Sequence, residues 1–86
     1  MNPNEFAILS HDQKAETVLG GVLLVAFAQG NTIMQLYSVD TLYVELCYDI
    51  SAGAITAMNI LNTTDQLLPY VRHITLRTAL TTRTSI

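Results

Sequence analysis

The amino-acid sequence predicts an α+β domain: a four-stranded antiparallel β-meander flanked by an N-terminal helix and a short C-terminal helix. Three observations predict it. The stretch Leu42 to Tyr48 alternates in chemistry, three turn signals punctuate the middle of the chain, and helix-start signatures lie on both sides of that region.

The N-terminal helical region opens on Asn2-Pro3-Asn4-Glu5. Asn2 suits the N-cap, Pro3 the first helical position, and Glu5 can close a capping box. Ser10 and Gln13 repeat the signature, so the segment reads as one helix with a weak joint or as two short ones. Phe6, Leu9, Ala15, Val18 and Leu19 are its expected buried residues, and Gly20-Gly21 ends it.

Val22 to Ala28 is a short, near-continuous apolar run rich in β-formers, which reads as a strand. Gly30-Asn31 then forms a two-residue hairpin loop and sets Gln29 opposite Thr32, Phe27 opposite Met34 and Val25 opposite Leu36. The next turn is read as Ser38-Val39-Asp40, with Asp40 left-handed, which sets Leu36 opposite Leu42 and Met34 opposite Val44. In the third hairpin Ser51-Ala52-Gly53 turns the chain, with Gly53 at positive φ and Ile50 opposite Ala54. That register sets Leu46 opposite Met58 and Val44 opposite Ile60.

These registers gather Leu23, Val25, Phe27, Met34, Leu36, Leu42, Val44, Leu46, Tyr48, Met58 and Ile60 on one face, which the helical segments are expected to cover. The opposite face carries Val22, Leu24, Ile33, Tyr37, Tyr43, Glu45, Cys47, Ile55 and Leu61. No segment is left to cover it, so these nine residues are the expected interface of a homodimer.

Thr63 and Gln66 give a further capping signal, and Pro69 is too deep for one undisturbed helix. The expectation is a turn over 64–68 and a helix from Pro69 to about His73, with Leu67, Leu68, Val71 and Ile74 packed on the sheet. Residues 1–76 are read as one domain and 77–86 as an irregular or disordered tail.

Composition narrows the function classes. Of 86 residues, 50% are hydrophobic and 13% charged, against about 25% charged in an average chain. A domain of this size buries only about 60–65% of its unfolded surface, so association would add to a small margin. The net charge of −3 and three spaced arginines (Arg72, Arg77 and Arg83) argue against nucleic-acid binding. Gln29-Gly30-Asn31-Thr32 interrupts the uncharged run from Thr17 to Val39, and the start of the chain lacks a basic signal region, so no membrane segment is expected. One cysteine cannot form an internal disulfide and fits a reducing, cytoplasmic setting.

No catalytic motif and no cofactor motif stands out. Cys47 has Glu45 and Asp49 two residues away on its own face, and two carboxylates oppose thiolate formation. The same trio lacks the close Cys/His spacing of a metal site. His11 beside a helix start and His73 beside Arg72 read as ordinary surface residues, and Gly20-Gly21 lacks the context of a phosphate loop. The expected function is therefore a non-catalytic soluble domain acting by homo-oligomerisation or as an interaction subunit. The alternative is a small-ligand module with an apolar pocket between sheet and helices, its polar lining supplied by Tyr48, Tyr70 and His73.

Overall fold

A computed structural model describes residues 1–62 and 66–70. The Thr63 cap, the packing of Val71 and Ile74, the helix end near His73 and the 77–86 tail lie outside the described residues. Six elements run in order: α1 (Pro3–Ala7), α2 (His11–Leu19), β1 (Val22–Gln29), β2 (Thr32–Val39), β3 (Leu42–Asp49) and β4 (Ala54–Ile60). The strands form one antiparallel sheet in the order β1-β2-β3-β4, and residues 66–70 are helical. The α+β meander predicted from the sequence is the observed architecture.

The N-terminal region is two helices, because both capping boxes form. The Asn2 side chain accepts from the Glu5 N–H at 2.8 Å, and Glu5 accepts from the Asn2 N–H at 3.1 Å. Ser10 and Gln13 repeat the exchange at 3.2 and 2.9 Å. An N-cap must be extended, and Ser10 is so at φ −67°, ψ 167°, which ends α1 and starts α2. Phe6 and Val18 are buried as expected, whereas Leu19 is 55% exposed.

The first hairpin has the expected pairs Gln29–Thr32, Phe27–Met34 and Val25–Leu36, with Gly30 at φ 62°. Beyond Val25 the register shifts and Leu23 pairs with Tyr37, leaving Leu24 as the extra residue of a β-bulge. Leu23 thus leaves the face it was expected to share with Val25 and is 47% exposed. Where α2 gives way to β1, Gly21 runs tight against β2. A Cβ there would lie 2.5 Å from the Ser38 carbonyl oxygen.

The second hairpin departs most from expectation. Its loop is the two residues Asp40-Thr41, so Val39 pairs with Leu42, Tyr37 with Val44, Leu36 with Glu45 and Met34 with Cys47. Asp40 is left-handed at φ 54°, as expected, but Ser38 and Val39 belong to β2. A three-residue loop would place Val39 at its tip. The shorter loop buries Val39 and Leu42 to 6% and 8% exposure, and burial of two apolar side chains outweighs the choice of loop length.

The third hairpin closes one pair earlier than expected, with Asp49 opposite Ala54 and residues 50–53 as the loop. Gly53 is left-handed at φ 63°, as expected, and its N–H donates to the Asp49 carbonyl at 2.9 Å. The Asp49 carboxylate accepts from the Ala52 N–H at 2.8 Å and from Asn31 at 3.2 Å, tying this loop to the first one. A bulge at Thr56 follows, between the Tyr48–Ile55 and Cys47–Ala57 pairs, and brings the predicted Leu46–Met58 and Val44–Ile60 pairs into line.

The short second loop splits the expected single covered face in two. Leu42, Val44, Leu46, Tyr48, Met58 and Ile60 lie with Tyr37 and Val39 under α1 and α2, around Phe6 and Val18. Val25, Phe27, Met34 and Leu36 lie on the other side of the sheet, around Tyr70. The Phe27 and Tyr70 rings meet at 5.4 Å between centroids, tilted by 58°. The sheet therefore carries a core on both sides. The 66–70 helix begins before the expected Pro69 start, with Leu67 packed on the sheet and Leu68 exposed.

Candidate functional site

Glu45 is the chemical centre of the described surface. Alternation along β3 sends Leu42, Val44 and Leu46 toward α1 and α2, and so sends Tyr43, Glu45 and Cys47 toward Tyr70. The Glu45 carboxylate is half-buried and accepts three neutral donors. The Tyr70 hydroxyl donates at 2.6 Å, the Asn59 amide at 3.4 Å, and the Cys47 thiol lies 3.8 Å away. Among the described residues the ion pair is elsewhere, between the Met1 amine and Asp40 at 2.9 Å.

These contacts set the protonation of the neighbours. Burial, then the hydrogen bond to Glu45 and its charge, push the Tyr70 hydroxyl well above its ordinary range, so it stays a donor. Burial first, and then the Glu45 carboxylate, push the Cys47 thiol up as well. A thiol so held is a poor nucleophile at neutral pH. Among the described residues no group of three or more His, Cys, Asp or Glu side chains is placed to hold a metal ion.

A groove of about 590 Å³ opens at the C-terminal end of β4, beside Met58, Asn59 and Ile60 and next to this carboxylate. Met58 and Ile60 reach it on the side of Phe6 and Lys14; Asn59, Glu45 and Gln66 reach it on the Tyr70 side, with Leu61 beside them. The Lys14 ammonium sits 5.7 Å from the Phe6 ring centroid, a cation–π contact that holds it on the helix side. Among the described residues β4 has a strand partner on one side only.

The residues expected to form one interface do not share a face. Tyr37 and Ile55 belong to the core under α1 and α2, and Ile33 alternates with them on that side. Leu24, Glu45, Cys47 and Leu61 lie on the Tyr70 side, with Tyr43 beside them, while Val22 stands 63% exposed at the start of β1. The expected pocket does not assemble either: Tyr48 and Tyr70 lie on opposite sides of the sheet, and His73 is outside the described residues. Lys14, Asn59 and Gln66 were not anticipated. The signal for Asn59 was present in the correct β3–β4 pairing, which sets it opposite Glu45.

No helix among the described residues is long and apolar enough to cross a membrane. Comparison with family models, with curated proteins and with solved structures gives no match.

Proposed function

We propose that this chain is a non-catalytic association module that pairs with a second copy through the edge of β1 that has no strand partner among the described residues. The observation that carries this reading is the chemistry of that edge. Val22–Gln29 holds no charged residue and no proline, and it leaves Val22, Leu23, Ala26, Ala28 and Gln29 exposed. Edge strands of monomers are ordinarily guarded by charge, proline or covering segments, because their unpaired N–H and C=O groups otherwise recruit another strand. Two β1 edges related by a two-fold axis are self-complementary when antiparallel, and the contact closes on itself. The bulge at Leu24 leaves residues 25–29 as the straight part of the ladder. This surface replaces the single uncovered face expected from the pattern, since both sides of the sheet carry cores. The raised thiol pKa of Cys47 supports a non-catalytic role, and a single cysteine supports a reducing, cytoplasmic setting.

Light scattering tests the reading. The unmodified chain is expected at twice its 9.5 kDa mass, and Ala26→Lys with Ala28→Lys is expected to return it to a folded monomer. A monomeric parent, or a dimer indifferent to both lysines, overturns it. A second reading, a ligand-binding module, is favoured by the β4 groove.

A further inference from the structure

We propose that the β4 edge is a second docking site, for an extended peptide segment of another protein in which apolar residues alternate with Lys or Arg. It is independent of the β1 contact, which lies at the opposite edge of the sheet.

Three features of the groove select that occupant. First, the groove opens beside Met58, Asn59 and Ile60 of a strand that has a partner on one side only among the described residues, so an added strand finds backbone donors and acceptors there. Second, the groove wraps around the edge and is chemically two-sided. Met58, Ile60 and Phe6 meet side chains pointing one way, and Glu45 and Asn59 meet those pointing the other. A strand alternates its side chains with period two, so the matching peptide alternates apolar with polar residues. Third, Glu45 has its lone pairs partly met by the neutral Tyr70, Asn59 and Cys47 donors, with no cation paired to it among the described residues. Those donors orient the carboxylate and carry no charge of their own, so among the described residues a cation is the group that complements it.

Reach makes the choice narrower. Strands lie about 4.8 Å apart, so a strand added beside β4 lies roughly 10 Å from β3, where Glu45 sits. Only a long basic side chain crosses Asn59 to that carboxylate, its stem lying on apolar surface as it goes. Lys14 does not fill the role, since its ammonium is engaged over Phe6 on the other lip.

The test is an amide-shift titration of the full chain with two capped peptides long enough to span β4. One alternates isoleucine with arginine; the other alternates isoleucine with glutamate. The arginine peptide is expected to shift amides of Ala54–Ile60, to bind about tenfold or more tightly than the glutamate peptide, and to weaken with salt. Glu45→Gln keeps an acceptor for the Tyr70 hydroxyl and is expected to erase most of the preference while leaving the spectrum folded. Should that variant unfold, the preference between peptides and its salt dependence in the unmodified chain still decide the matter. Equal binding of both peptides overturns the proposal, as does absence of binding at millimolar concentration or shifts confined to Val22–Gln29. Protection, before any peptide is added, of the β4 amides that point away from β3 also overturns it, since that shows the edge already taken by a second copy or by residues 71–86 of the same chain.

Discussion

Replacing Gly21 by alanine should destabilise the fold through a backbone clash rather than through lost conformational freedom. The new Cβ would stand 2.5 Å from the Ser38 carbonyl oxygen, 3.0 Å from the Val39 Cγ2 and 3.2 Å from the Val18 carbonyl oxygen. Two of those three neighbours are main chain, one in β2 and one in α2, so relief requires α2 or the start of β1 to move off the sheet. Val18 and Val39 are both buried in the core between them, and that movement would open their packing. Forcing atoms into a packed site costs about 1–3 kcal/mol. The alanine also restricts the unfolded chain, which returns about 0.4–1 kcal/mol. The net expectation is a loss of about 1–2 kcal/mol, or roughly 4–16 °C in Tm for a domain of this size. Two controls separate the causes. Gly20→Ala meets only the Glu16 carbonyl at 3.3 Å and the Thr17 carbonyl at 3.6 Å, at φ −79°, and should be near neutral. Gly30→Ala meets nothing within 4 Å but sits at φ 62°, and should lose about 1–2 kcal/mol from backbone strain alone. Urea denaturation followed by circular dichroism ranks the three. If Gly21→Ala matches or exceeds the stability of Gly20→Ala, the tight approach of β1 to β2 is refuted.

Two further predictions concern pH. Cys47 should alkylate slowly at pH 7–8, with its rate still rising above pH 9, because burial and the Glu45 carboxylate both hold the thiol protonated; fast, selective modification at neutral pH would contradict this. The Met1 amine titrates above its ordinary value, first because of its hydrogen bond to Asp40. A raised folded pKa favours the protonated form, so the Met1–Asp40 contribution is present below about pH 8 and is lost as pH rises through the folded value. Asp40→Asn tolerates the left-handed backbone but removes the partner charge. The stability gap between parent and variant should therefore shrink from pH 7 to pH 10, and a constant gap would refute the link.

What the sequence determined by itself is local. Asn2 with Glu5, and Ser10 with Gln13, act across three residues, so the two helix starts were legible before any packing was known. Gly30, Asp40 and Gly53 take the positive φ values their turns require, for the same reason. The alternation of β3 and its pairing with β4 near Leu46 and Met58 were equally visible, since a slip there exposes apolar residues. The two bulges and the second loop were decided by tertiary structure. β2 is apolar on both sides, Met34 and Leu36 facing one way and Ile33, Tyr37 and Val39 the other, so alternation cannot choose its register against β3. A loop of three residues and a loop of two satisfy Asp40 alike, yet they send opposite halves of β3 to a given face. The choice fell to the α1–α2 layer, which buries Val39 and Leu42 together with Val44 and Leu46 around Phe6 and Val18, and to Tyr70, which covers Val25 and Leu36 on the other side. That choice brought Glu45 under the Tyr70 hydroxyl at the β4 groove. Contacts between residues 25 positions apart depend on a register that periodicity alone leaves open.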